Sequence, residues 1–285
     1  MRANPAIPEL VVVGHVARDH IGRDIRLGGA ASFAAQAAAA LGVRTGVVTV
    51  APDSFALLAP VARDPHVTIQ RKASAKVTTF ELDYSGPRRQ VRLLARAPDI
   101  RPSHIPPSWR GAALAYVAPV IGECGAEVIA ALGASRVVVG AQGWLRAVGS
   151  DGRVVPALAP EARHPPKGLY AVVFSELDHP DAEALARRFA ERTPIVALTR
   201  GARGATLYDD GCRHHVPADG AHEIDPTGAG DVFGLVLGLA TRHGATALDA
   251  AALAARAAAR VVEGPGIGKL PEFCASEAWR QLRAA

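Results

Sequence analysis

The residues best suited to chemistry are Asp225-Pro226-Thr227-Gly228-Ala229-Gly230-Asp231. This stretch closes a polar loop and opens an apolar, helix-like run, Val232 to Ala240. Three small residues in a row leave backbone N–H groups uncovered at a helix N-terminus, where they and the helix dipole attract a phosphate or a developing anion. Gly228 and Gly230 also reach backbone angles closed to other residues. Asp231 falls in the first helical turn, beside that anion site, where a carboxylate can take a proton from an attacking hydroxyl. Phosphoryl transfer asks a protein mainly to position groups and stabilise charge. The stretch therefore predicts Asp231 as general base and the backbone of Gly228, Ala229 and Gly230 as an anion hole. A bare Gly-x-Gly-Asp reads more readily as an Asp that only satisfies the helix dipole.

The elements that must position these residues follow from hydrophobic pattern. Leu10 to Val13, ending in Gly14, reads as a buried strand. Gly28-Gly29 precedes an Ala-rich helix, Ala30 to Leu41, which Gly42 ends. Val43 to Val50 is a second buried strand. Residues 67–94 are β-rich and alternate polar with apolar, with a turn at Ser85-Gly86-Pro87, as in an antiparallel sheet with one wet face. From Ala112 onward, strand-like runs (Ala113–Val117, Arg136–Val139, Leu169–Phe174, Ile195–Leu198, Ala205–Tyr208) alternate with helical ones (Ala126–Leu132, Pro180–Arg192, Ala247–Val262). That alternation predicts a parallel sheet flanked by helices. No linker or repeat divides the chain, so one large α/β domain with a small β excursion is expected.

Composition removes other classes. The 285 residues are 49% hydrophobic and 21% charged, unlike a disordered chain. No apolar run approaches the roughly 18–20 residues of a membrane span, and Leu10–Val13 is too short for a signal-peptide core. A cytoplasmic location with no membrane partner is the resulting expectation. Cys124, Cys212 and Cys274 form no CxxC and indicate neither a zinc ribbon nor a disulfide framework. His214-His215 reads as a solvated turn more readily than as a metal site. The net charge of +5 comes from dispersed arginines. Clusters such as Arg88-Arg89-Gln90-Val91-Arg92 read as solvated strand faces, which argues against nucleic acid and suits an anionic small substrate. Gly264-Pro265-Gly266-Ile267-Gly268-Lys269-Leu270 imitates a P-loop, but Glu263 stands where its first Gly is required and Leu270 lacks the hydroxyl.

The full string from Asp225 to Asp231 resembles the signature of the ribokinase-like (PfkB-type) carbohydrate kinases, and the resemblance extends along nearly the whole chain. Gly14 and Asp19 match an early Gly and Asp that in the family meets substrate hydroxyls. Gly28-Gly29 and Leu41-Gly42 match a helix opened by paired glycines and closed by Leu-Gly. Phe33 departs from an Asn of the ribokinase pattern. Thr199, Gly201 and Gly204 match a Thr-x-Gly-x-x-Gly segment that contacts ATP. The family's Asn-x-x-Glu, which organises Mg²⁺ through water, is met loosely by Ser175 and Asp178. Leu27 to Phe33, Gln142 to Arg146 and the Asp225-Pro226 pair look most like the plant-type myo-inositol kinases, with Gly140 standing where that subgroup has Asp.

The resemblance implies a doubly wound parallel sheet flanked by helices over residues 1–285. A small β lid is implied over about 15–28 and 67–97. It implies an ATP-dependent kinase acting on a hydroxyl of a small polyol or sugar, with myo-inositol or a related cyclitol as the leading acceptor. Asp19, Gly28, Gly29, Phe33, Gln142 and Arg146 would bind that acceptor, with Phe33 as an aromatic wall. Thr199, Gly201, Gly204, Asp225 and Thr227 would bind ATP, and Asp178 would hold Mg²⁺ through water, with a monovalent cation alongside. Phe33 could also stack on a nucleobase, which keeps a nucleoside kinase open. The degenerate Ser175/Asp178 element keeps open a catalytically silent ligand sensor. The lid permits either a monomer or a homodimer.

Overall fold

In the computed structural model, residues 7–86 and 89–284 are described. The strands in chain order are β1 (Leu10–Val13), β2 (Ala17–Ile21), β3 (Asp24–Gly28), β4 (Thr45–Ala51), β5 (Val67–Ala73), β6 (Thr78–Asp83) and β7 (Gln90–Ala95). They continue with β8 (Leu114–Val117), β9 (Val137–Gly140), β10 (Arg146–Val148), β11 (Val154–Pro156), β12 (Ala171–Ser175), β13 (Ile195–Thr199), β14 (Ala205–Asp209) and β15 (Cys212–Val216). A nine-stranded sheet has the order β15-β14-β13-β12-β9-β8-β1-β4-β5. A four-stranded lid sheet has the order β3-β2-β6-β7, and β10 pairs with β11 in a small ribbon.

Strand β1 shows how the layers arise. Its four residues are all buried, and alternation sends Leu10 and Val12 into one core and Val11 and Val13 into the other. The first core is covered by the helices Ala30–Ala40, Ala229–Arg242 and Ala247–Val261. The second is covered by Ala126–Leu132 and Ala182–Ala190, with Trp109 and Trp144 filling the space between elements. A sheet buried on both faces needs continuous apolar strands, which is why these runs read as Val-rich blocks and not as alternation. No helix among the described residues is long and apolar enough to cross a membrane.

Seven neighbouring strands, from β5 through β13, pair in parallel, as expected for a doubly wound sheet. Three expectations change. Ala205–Tyr208 belongs to β14, which runs antiparallel to β13. The chain returns through the short turn Gly201–Arg203, whereas a parallel pair needs a crossover of about a dozen residues. Residues 67–73 do not belong to the lid: β5 pairs along its whole length with β4 at the edge of the main sheet. An edge strand has one wet side, so its polar alternation mimics a lid strand. The lid is also not purely antiparallel, because β2 and β6 run in the same direction. The expected turn at 85–87 includes Pro87, and Pro87 and Arg88 lie outside the described residues.

The lid joins the main sheet through a buried polar knot. The backbone N–H of His15 donates to Glu123 Oε1 at 3.0 Å, and the N–H groups of Val120 and Ile121 donate to the same carboxylate. The ring of His15 bridges Thr78 Oγ1 at 2.8 Å and the Pro98 carbonyl at 2.9 Å. Burial opposes ionisation of Glu123, yet His15 and the three amides hold its carboxyl below the usual range. The knot ties the start of β2, the start of β6 and the end of the lid to the loop after β8. It thereby fixes where Asp19 emerges.

Candidate active site

The predicted residues converge at the carboxyl ends of the parallel strands, where open α/β sheets form their ligand crevice. Asp19 lies in β2, just past β1. Gln142 and Arg146 come after β9, Ser175 ends β12 with Asp178 just beyond it, and Thr199 ends β13 with Gly201 and Gly204 in the turn that follows. The signature forms a polar loop and then the helix Ala229–Arg242, with Asp231 in its first turn and Gly228 as its N-cap at φ 85°. The Asp225 carboxylate accepts from Thr227 N–H at 3.0 Å and so bends the loop before the helix.

Gly228 is required on two counts. Its positive φ suits only glycine, and a Cβ there would lie 2.3 Å from Cδ1 of Phe33. Phe33 is 5% exposed, so its ring is a floor beneath the signature loop. That corrects the expectation of an aromatic wall open to substrate. The side chain serves packing first, because an Ala-rich helix leaves a gap that one large ring fills. Of the expected amide donors, Ala229 N–H leans back toward the Pro226 carbonyl at 3.4 Å. The other amides of the first turn have no acceptor within an α-helix.

Gly28 and Gly29 are equally constrained. A Cβ on Gly28 would sit 1.9 Å from Asp19 Oδ2. Gly29 (φ 88°) caps the helix Ala30–Ala40, and a Cβ there would strike the His15 carbonyl at 2.4 Å. These glycines let the helix start against the backbone of β2 and leave the Asp19 carboxylate room.

Charge organises the centre. Burial raises Asp19 from 3.8 to about 6, while Arg89 and Arg146 pull it down. The half-buried Asp231 rises from 3.8 to about 7, mainly through burial and then through repulsion from Asp178; Arg146, Tyr116 and Arg89 oppose the rise. Arg146 is lowered to about 10 by burial. Its Nε donates to the Val120 carbonyl at 2.6 Å, and its guanidinium lies 5.5 Å from the Phe80 ring centre. The fold thus gathers Asp19, Arg146, Asp178 and Asp231 within electrostatic reach. A carboxylate near 7 is poised to accept a proton at neutral pH.

Gln142 and Asp178 prove to be partners. Gln142 Nε2 donates to Asp178 Oδ1 at 2.9 Å, and Ser175 N–H donates to Oδ2 at 2.7 Å. Among the described residues, no group of three His, Cys, Asp or Glu side chains could hold a metal ion. Mg²⁺ commonly takes one or two carboxylates together with substrate phosphates and water. Asp178, close enough to Asp231 to act on it electrostatically, fits that modest demand.

Sequence reasoning missed several neighbours. Arg200 donates to Thr206, Glu176 and Glu183, and Arg203 pairs with Glu176 at 2.5 Å. This cluster stiffens the Thr199–Gly204 turn. The paired Arg200 and Arg203 inside that motif are its only signal in the sequence. Arg89, read as a solvated strand residue, acts electrostatically on Asp19 and Asp231 from the lid. The lid also touches the signature: Arg26 Nη1 is 3.7 Å from Asp225 Oδ2, and Tyr84 Oη is 3.4 Å from Thr227 Oγ1.

A mixed nine-stranded sheet with helices on both faces, a β lid and paired glycine-opened helices over one crevice defines a ribokinase-like protein. The comparisons agree. The chain superposes with a TM-score of 0.81 on a pyrophosphate-dependent kinase of the ribokinase family, solved with a pyrophosphate analogue and myo-inositol; identity is 19%, covering 93% of this chain and 98% of the other. The model of the pfkB family carbohydrate kinases matches residues 169–272. The inositol 3-kinase of Oryza sativa subsp. japonica is 31% identical over 267 residues, which are 86% of this chain and 66% of the rice protein. That of Zea mays is 31% identical over 275 residues, 86% of this chain and 69% of the maize protein. The chain belongs to the pfkB family of carbohydrate kinases.

Proposed function

We propose that this protein is an ATP-dependent kinase that phosphorylates one hydroxyl of a small polyol, with a cyclitol such as myo-inositol as the leading acceptor. The observation that carries this reading is the place of Asp231 in the first turn of a glycine-capped helix, within electrostatic reach of Arg146 and Asp178; burial raises its carboxyl to about 7. The kinship with plant inositol 3-kinases supports the acceptor class.

In this mechanism Asp19 accepts a hydrogen bond from one acceptor hydroxyl, with Gly28 and Gly29 keeping the space clear and Arg146 and Gln142 completing the pocket wall. Asp231 accepts the proton of the reacting hydroxyl as its oxygen attacks the terminal phosphorus of the donor. The bond from that phosphorus to the bridging oxygen breaks, and ADP leaves with the electron pair. The N–H groups of Gly228, Ala229 and Gly230 meet the charge spread over the transferring phosphoryl oxygens. Thr199, Gly201 and Gly204 line the donor, and Asp225 and Thr227 shape the loop that faces it. Asp178 would hold Mg²⁺ through water, supplying charge neutralisation on the donor phosphates. The lid excludes water, so the donor is not wasted on hydrolysis. A cytoplasmic setting goes with this reading.

The buried Phe33 weakens the nucleoside-kinase alternative, since its ring is committed beneath Gly228. The intact Asp231 geometry weakens the silent-sensor alternative. The test is a turnover assay over inositols, sugars and nucleosides, run with ATP and separately with pyrophosphate because a neighbour in fold depends on the latter. We expect cyclitol phosphorylation that falls at least about 100-fold in Asp231→Asn. Equal turnover in the variant, or no acceptor phosphorylated by the wild type, overturns the reading.

A further inference from the structure

Tyr116 lies in the middle of β8 and is 1% exposed. In the sequence it is an ordinary core aromatic of a buried strand. Its surroundings are not ordinary, because the phenol fits between two residues that lack a side chain. A Cβ on Gly140, at the end of β9, would lie 2.6 Å from Tyr116 Oη and 3.8 Å from Asp231 Oδ1. A Cβ on Gly234, in the signature helix, would lie 2.9 Å from Cε2 and 3.0 Å from Oη. Neither position admits even a methyl group without moving the ring. Gly234 follows Asp231 by three residues and so shares its helix face.

The hydroxyl at the end of this slot donates to Asp231 Oδ1 at 3.5 Å. A phenylalanine would fill the same volume, and a buried hydroxyl costs free energy unless it is hydrogen-bonded. The polar end of the ring is therefore what needs explaining, and Asp231 is the group it meets. A separation at the long end of the hydrogen-bond range is usual for catalytic pairs before substrate binds.

We propose that Tyr116 is a positioning residue for Asp231: clasped between Gly140 and Gly234, it engages Oδ1 and leaves Oδ2 for the acceptor's proton. The absence of a side chain at Gly140 is then part of the site, since it gives the phenol its place beside the base. This inference rests on the reading of Asp231 as general base. The charged groups acting on Asp231 are Asp178 from the loop after β12, Arg146 from β10 and Arg89 from the lid. Tyr116 adds a donor that favours the ionised form.

Tyr116→Phe keeps the ring and removes only the hydroxyl, while Gly140→Ala keeps the hydroxyl and crowds it. Acceptor turnover is measured across pH for both. We expect Tyr116→Phe to lower kcat about tenfold near neutral pH, with acceptor KM within about twofold and the acidic limb of the kcat profile moved to higher pH. Gly140→Ala moves the limb in the same direction. A structural role alone would lower thermal stability without moving that limb, so an unmoved limb overturns the proposal. A second readout needs no activity: a double-mutant cycle in equilibrium unfolding at about pH 8 with Asp231→Asn. Tyr116→Phe is expected to shift the folding constant about fivefold to tenfold more in the wild type than in the Asp231→Asn background. Equal shifts overturn the proposal. If the wild type phosphorylates no acceptor, the kinase reading fails by itself, and the cycle still decides whether Tyr116 and Asp231 are coupled.

Discussion

Replacing Asp231 by Asn should make the protein more stable at alkaline pH while removing its activity. Asp231 rises from 3.8 to about 7 in the folded chain. Folding therefore disfavours its ionisation. The penalty is absent below about pH 4, where both states are protonated, grows as pH rises, and is complete above about pH 7. At about 1.36 kcal/mol per pH unit the rise corresponds to about 4 kcal/mol, and partial access of water to the carboxyl reduces this to about 2 kcal/mol. Asn carries no charge at any pH and escapes the penalty. At about 2–4 °C per kcal/mol for a chain near this size, the variant should melt about 4–8 °C above the wild type at pH 8.5. At pH 4.5 the difference should shrink to about half or less, because only part of the penalty has developed there. Asp19 is present in both proteins and cancels from the difference. The assay is thermal unfolding of the two proteins across that pH range without ligand. An equal difference in Tm at both ends, or a less stable variant at pH 8.5, would refute the argument that Asp231 is held against its charge.

Other outcomes follow from the same geometry. Gly228→Ala forces a side chain into a left-handed backbone and against the Phe33 ring. It should cost about 2 kcal/mol or more and lower kcat at least about tenfold, with Phe33→Leu in the same chain restoring part of the stability; thermal unfolding and initial rates check both. Asp19 lies near 6, so acceptor KM should rise as pH falls through about 6, when the carboxylate becomes protonated. Asp19→Asn should raise acceptor KM about tenfold or more, flatten that pH dependence and leave donor KM little changed.

The separate elements were legible in different degrees. The signature helix, the glycine-opened helix before Gly42 and the central parallel strands could be read because their causes are local: an apolar block, a capping glycine, a helix period. The alternation of β5 reports only that one side is wet, and both an edge strand and a lid strand satisfy that. The apolar run of β14 carries no direction of its own: direction depends on connection length, and Gly201–Arg203 is too short for a crossover. Tyr116, Arg89 and the Arg200 cluster left little trace, since each acquires its meaning from a partner distant in the chain.

The sequence by itself determined a glycine-capped helix start and which carboxylate stands in its first turn. Three small residues opening an apolar helix impose that arrangement through backbone geometry and dipole, whatever the rest of the chain does. It also determined the places of Gly28 and Gly29, the Ala-rich helix they open, and the Val-rich strands buried on both faces. Only the tertiary structure decided the protonation of Asp231 and Asp19. A pKa is set by burial and by charges brought from other elements, here Asp178, Arg146 and Arg89. It alone turned Phe33 into the floor under Gly228, joined Gln142 to Asp178, and set the hydroxyl of Tyr116 beside the base through the space that Gly140 and Gly234 leave empty. These are long-range packing outcomes, fixed by how the strands order themselves and not by any local run of residues.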